Sequence, residues 1–230
     1  MKKILFVLTS HNQLGNTGKQ TGFWLEEAAS PYYEFRDRGF EVVLASPKGG
    51  EPPMDPKSTE EDWQTDATRR FFADEAAQQQ FKTTHLLAQV KAADYDALFL
   101  PGGHDPMWDL ATDDTLAQLI ADFAQQGSAI AAVCHGPAGL VNSRTADGTP
   151  LVQGKRLTAF TNTEEAAVEL TEVVPFLLES RLKELGASFE RSDDFQPHVT
   201  CDGNLITGQN PLSSVPVAQA VIDWFSASET

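Results

Sequence analysis

A doubly wound α/β fold, a mostly parallel sheet with helices on both faces, is what this sequence predicts, on three observations. Short apolar runs such as residues 97–101 and 128–133 carry no polar alternation, so they read as strands buried on both faces. These runs alternate along the chain with helix-patterned segments, the order that builds parallel βαβ units. Finally, 230 residues without repeats or low-complexity blocks fit one domain spanning 1–230 and large enough to bury a sizeable core.

Residues 3–9 form the first strand. Their apolar run is too short for a signal core, and no apolar stretch reaches the roughly 18 residues needed to span a bilayer. The loop over 10–21 contains Gly15 and Gly18 and superficially resembles a phosphate loop. Its glycines are too close together, however, and Gln20 stands where Ser or Thr would hold magnesium. A helix is expected from Phe23 to Gly39. Pro31 cannot donate to the carbonyl of Glu27, so a break or kink is expected there. Residues 40–46 are the second strand.

The segment 47–96 is long for a single crossover. Pro52, Pro53 and Pro56 begin it and Trp63, Phe71, Phe72 and Phe81 follow. It reads as an insertion of loop and small elements with local core, then a crossover helix over 84–92. Such insertions lie over a sheet edge or mouth, where they can line a pocket or a dimer contact. Residues 97–101 are a strand ending at Gly102 and Gly103, which permit close approach of backbone to a ligand. A helix over 115–126 leads to the strand at 128–133. Residues 157–160 form a short strand before a helix start at 161–165, and a further helix lies within 174–186. Short strands follow at 187–191, 199–201 and 204–207, with Asp202 and Gly203 as a hairpin turn. A closing helix covers 213–225. The whole is flavodoxin-like.

Net charge is −16, from 33 acidic and 17 basic residues, which argues against nucleic acid or an anionic membrane as partner. A small-molecule substrate is the better expectation. Two cysteines, Cys134 and Cys201, fit a reducing cytoplasm rather than a disulfide framework.

The strand at 128–133 stops on Cys134, and His135, Gly136 and Pro137 follow. Gly136 permits a tight turn and Pro137 suits the first turn of a helix. That is the arrangement of a nucleophile elbow, in which a side chain is lifted off a strand end toward the positive end of the next helix. A thiol so placed should have its ionised form favoured. Cysteine at a strand end is otherwise a small buried hydrophobe; His135 and the turn residues favour the reactive reading.

The segment Ala132-Val-Cys-His-Gly-Pro-Ala138 resembles the nucleophile motif of the ThiJ/PfpI superfamily, whose fold is class I glutamine-amidotransferase-like. Leu100-Pro-Gly-Gly-His104, residues 39–47 and residues 202–211 extend the likeness over nearly the whole chain. It is similar above all to the heat-shock-type glutathione-independent glyoxalases (glyoxalase III). The resemblance implies a catalytic Cys134 and His135, with Glu165 orienting the histidine and Glu27 touching the thiol. Glu164 competes with Glu165, because some relatives carry glycine where Glu164 stands. It also implies no cofactor and a possible homodimer.

In open α/β sheets ligands bind beyond the carboxyl ends of strands, which draws Glu27, Gly102, Gly103, Cys134, His135 and Glu165 into one neighbourhood. Glu27 near a thiolate in a partly apolar pocket should have a raised pKa. The backbone N–H groups of Gly103 and His135 are expected oxyanion donors, and Gly102 and His104 complete the expected substrate surface. His11, His85 and His198 show no ligand spacing, so no metal is expected. The expected activity is conversion of small 2-oxoaldehydes such as methylglyoxal to 2-hydroxy acids such as lactate. The alternatives are a cysteine amidase or peptidase with the same triad, and a stress chaperone or redox sensor with deglycase-like activity.

Overall fold

The computed structural model describes residues 1–228. In chain order its elements are β1 (Lys3–Val7), α1 (Leu25–Asp37), β2 (Glu41–Ser46), α2 (Asp66–Ala73), α3 (Glu75–Lys82), β3 (His85–Leu86), β4 (Ala97–Leu100), α4 (Asp114–Gln126) and β5 (Ala129–Val133). There follow β6 (Arg156–Leu157), α5 (Asn162–Ala167), α6 (Leu178–Glu184), β7 (Ser188–Phe189), β8 (Val199–Asp202), β9 (Leu205–Gly208) and α7 (Ser214–Ser228). Seven strands form one sheet in the order β3-β2-β1-β4-β5-β9-β8, parallel except for the β8–β9 hairpin. The predicted flavodoxin-like, doubly wound sheet is thus present.

Strand alternation divides the core in two. On β1, Ile4 and Phe6 face a layer with Phe35 of α1 and Val221 of α7, whereas Leu5 and Val7 face Ile120 and Phe123 of α4. Both faces of β1, β4 and β5 are buried, which is why these strands read as continuous apolar runs. Phe6, Phe35 and Phe99 pack as a stacked and edge-on trio that seats α1 on the sheet.

Several expectations are corrected. α1 does not break at Pro31 but runs unbroken through it; Leu25, Ala28, Ala29, Tyr32 and Phe35 are all buried, and that burial offsets the roughly 3 kcal/mol an interior proline costs. No crossover helix occupies 84–92. Those residues begin with the edge strand β3, since the Thr84 hydroxyl lies 2.7 Å from the Ser46 hydroxyl and pins the segment extended along β2. The helices of residues 47–96 come earlier: Thr65 and Thr68 form a capping box on α2, and Asp74 caps α3. Phe71 and Phe81 are local core as expected, while Trp63 and Phe72 are exposed. α6, Leu178–Glu184, lies within the expected 174–186. β6 and β7 are shorter than expected and pair with each other outside the main sheet. The hairpin turn is Gly203-Asn204, one residue later than expected. The helix expected after Cys134 is a short 3-10 helix, Gly136–Leu140. Among the described residues no helix is long and apolar enough to cross a membrane.

Candidate active site

β5 ends at Cys134, which is 4% exposed and held at φ 60°, a left-handed conformation rare for a residue with a side chain. Its N–H is donated to Gly208 on β9 and its carbonyl accepts from Phe160, so neighbours on both sides fix the strained turn. Gly136 is obligatory beside it: a Cβ there would lie 2.1 Å from the Leu100 carbonyl oxygen. The residue expected to carry the chemistry therefore sits on a true elbow.

The Cys134 Sγ lies 3.4 Å from His135 Nδ1, and His135 Nε2 lies 2.7 Å from Glu165 Oε2. Burial works against ionisation of Glu165, but the His135 and His104 imidazoles outweigh it and hold the carboxyl well below the usual carboxylate range. A carboxylate only accepts, so His135 donates from Nε2 and turns its Nδ1 lone pair to the thiol. Burial and the neighbouring His104 lower the basicity of His135, keeping it neutral.

Glu164 does other work. It closes a capping box with Thr161 at the start of α5, and its Oε1 accepts from the Phe195 N–H, Gln209 Nε2 and Asn210 Nδ2. The two adjacent glutamates thus face opposite ways, one to the histidines and one to the loop before β8.

Glu27, in the first turn of α1, is fully buried. Its Oε2 accepts the Gly102 N–H at 2.8 Å, while Oε1 is buried without a hydrogen bond of regular geometry. Desolvation pushes its pKa up to about 8, and contacts with the Cys134 thiol and the Gly102 N–H only partly oppose this. The carboxyl is accordingly protonated at neutral pH. Burial first, and Glu27 second, push the Cys134 thiol up as well. This corrects the expectation of a favoured thiolate: the helix that follows is a short 3-10 helix, and desolvation dominates. The resting pair is an uncharged acid beside an uncharged thiol.

Gly102, expected on the substrate surface, is not among the residues lining the cavity at Cys134. Its N–H is committed to Glu27, so it positions the acid and is no oxyanion donor. Gly103 and His104 do line the cavity that reaches Cys134, together with His135, Glu27, Trp24, Trp63, Phe160 and Phe195, and its volume is about 290 Å³. His104 has a second attachment that spacing did not reveal: its Nε2 lies 2.9 Å from Glu165 Oε1, so one carboxylate bridges two imidazoles whose centroids are 4.2 Å apart. His104, His135 and Glu165 offer atoms within 4.8 Å of one another, the only such grouping among the described residues. That spacing would admit a cation, but each carboxylate oxygen already accepts from an imidazole, the arrangement of a hydrogen-bonded relay. No local signal marks this set, since its members are 30 or more residues apart.

The DJ-1/PfpI family profile matches residues 20–223. The chain belongs to the DJ-1/PfpI family. Among curated members, it is similar to the glutathione-independent glyoxalase HSP31 of Saccharomyces cerevisiae, 31% identical over 96% of this chain and 97% of that protein. The crystal structure of glyoxalase III from Candida albicans superposes with a TM-score of 0.90 at 28% identity, covering 97% of each chain. The Rapid Encystment Protein 24 kDa of Francisella tularensis superposes with a TM-score of 0.93 at 36% identity, covering 97% of this chain and 99% of that one. Within the DJ-1/PfpI family the likeness to these glyoxalases therefore extends over 96–97% of the chain.

Proposed function

We propose that this DJ-1/PfpI protein is an enzyme, a glutathione-independent glyoxalase that converts small 2-oxoaldehydes such as methylglyoxal to 2-hydroxy acids. The observation that carries the reading is Glu27: a buried, protonated carboxyl with one oxygen fixed by Gly102 and the other unpaired at the thiol. Cys134 Sγ adds to the aldehyde carbon as His135 Nδ1 takes the thiol proton, giving a hemithioacetal. His135 becomes an imidazolium paired with Glu165. In this reading the N–H groups of Gly103 and His135 meet the developing oxyanion. Glu27 gives its proton to the hemithioacetal oxygen and, now a carboxylate, takes the proton of the former aldehyde carbon while the His135 imidazolium protonates the ketone oxygen, giving an enediol. Glu27 then delivers that proton to the former ketone carbon as the hydroxyl proton on the first carbon returns to His135. The first carbon is oxidised to a thioester, the second is reduced to a hydroxyl, and water releases the acid. The net change is addition of one water, so no external redox partner is consumed.

Incubation with methylglyoxal in the absence of glutathione should yield lactate, and Cys134→Ala should abolish it. Retained turnover in that variant overturns the mechanism. An amidase would use the same thiol, histidine and oxyanion donors but has little use for a neutral carboxyl at the sulfur, so Glu27 favours the glyoxalase. The same reading takes the chain as one domain with 47–96 as an insertion, and as a cytoplasmic homodimer. Both cysteines are unpaired, in keeping with a reducing compartment. Light scattering decides the dimer.

A further inference from the structure

The cavity is larger than a three-carbon substrate requires. Its volume of about 290 Å³ equals that of about ten waters at roughly 30 Å³ each, whereas methylglyoxal has five non-hydrogen atoms. A substituent longer than methyl therefore has room beside the reacting carbons. The lining tells what kind. Trp24 and Trp63 meet edge to face, with centroids 5.3 Å apart, and form an apolar wall.

Lys19 and Lys57 line the same cavity, Lys57 Nζ lying 5.3 Å from the Trp63 ring centroid. Neither lysine has a carboxylate within ion-pair distance among the described residues, unlike Lys3, Lys155 and Lys183. Two acids share the lining, but Glu27 is protonated at neutral pH. Asp55 accepts from the Lys57 N–H at 2.8 Å and the Thr21 hydroxyl at 3.0 Å, which turns its carboxylate into the loop. With Lys19 and Lys57 positive and Asp55 negative, the lysine and carboxylate charges of the lining sum to +1 on a chain of net charge −16. Such an inversion of sign draws an anion against the field of the whole molecule.

We infer that the site takes 2-oxoaldehydes bearing an anionic group on a short apolar stem, the stem lying along Trp24 and Trp63 and the anion between Lys19 and Lys57. This rests on the glyoxalase reading and specifies its substrate class. The chemistry is unchanged: for 4,5-dioxopentanoate, addition of one water gives 2-hydroxyglutarate.

The test compares kcat/KM for 4,5-dioxopentanoate with that for its methyl ester, which has the same stem without the charge. Wild type should favour the acid by about fivefold or more, from two screened ion pairs. In Lys19→Gln/Lys57→Gln the ratio should fall to about one, in Lys57→Glu below one, and Lys57→Arg should retain it. Because the readout is a ratio within each variant, a general loss of folded protein divides out. Equal use of acid and ester by wild type, or a ratio untouched by Lys57→Glu, overturns the inference while methylglyoxal turnover leaves the glyoxalase reading standing. Failure to turn over any 2-oxoaldehyde overturns both.

Discussion

The Gly102 N–H and Glu27 Oε2 meet at 2.8 Å across 75 residues of sequence, tying the first turn of α1 to the loop after β4. One oxygen of the acid is thereby fixed and the other left to the reacting atoms. A Cβ on Gly102 would lie 2.5 Å from Glu27 Oε2, 2.7 Å from the Val133 carbonyl oxygen and 2.8 Å from the His135 nitrogen. Gly102→Ala is therefore expected to lower lactate formation by about 100-fold or more, since a misplacement near 1 Å can cost that much. Thermal unfolding of the variant should show a smaller loss, about 1–3 kcal/mol from overpacking.

Glu27 acts in its protonated form, and its pKa is about 8. Rising pH removes the proton, so kcat/KM should hold below about pH 8 and decline above it. Glu27→Gln keeps a carbonyl oxygen for Gly102 but carries no transferable proton. Its turnover should fall by about 100-fold to 10,000-fold, the range for general acid–base groups, and the residual activity should lose the alkaline decline. A Gln variant with the wild-type profile would remove Glu27 from proton transfer.

Glu165 and Glu164 should separate cleanly. Glu165→Gln presents an amide where His135 Nε2–H needs an anion, and turnover should drop by about 100-fold to 10,000-fold with little change in melting temperature. Glu164→Ala removes the α5 cap and strands the Phe195 N–H, Gln209 and Asn210. Its effect should be on stability, about 2–4 kcal/mol, from a lost cap and buried unpaired groups. Calorimetry beside the lactate assay reads both.

Asp105, just past His104, is fully buried with both carboxylate oxygens unpartnered. Desolvation, with Asp109 nearby, pushes its pKa from 3.8 to about 9. The folded chain retains a proton that the unfolded chain releases, so this group's stabilising contribution is complete below about pH 4 and is lost as pH rises to about 9. Asp105→Asn should flatten that decline and raise stability at pH 8 by about 1–3 kcal/mol, the cost of an uncompensated buried polar group. Urea midpoints at pH 6 and pH 8.5 decide it.

Where packing is uniform, the sequence is explicit: β1, β4 and β5 are buried on both faces and appear as unpunctuated apolar runs. The elbow at Cys134 was legible because strand end, glycine and proline are contiguous. The Glu164 and Glu165 alternative was not, since both residues are acidic, adjacent and at a helix start. Only the opposed demands of the capping box and of two imidazoles, set by tertiary contacts, distinguish them. The shift of β3 into the expected helix at 84–92 came from a hydroxyl pair, Ser46 and Thr84, 38 residues apart. His104 on Glu165 and the Trp24–Trp63 wall likewise join distant segments and leave no local pattern. Desolvation of the thiol could not be read from composition, because it depends on how completely Glu27 and Cys134 are enclosed together.

The confinement of Cys134 at the floor of its cavity bears on which form of an aldehyde can be consumed. A dicarbonyl already captured by a soluble tripeptide thiol has its aldehyde carbon occupied and is far bulkier than the roughly ten-water space around Cys134. The form that fits is the free aldehyde, with which such a conjugate is in equilibrium. With the capturing sulfur built into the fold beside its own acid and base, the reaction proceeds at high effective molarity without a diffusible carrier.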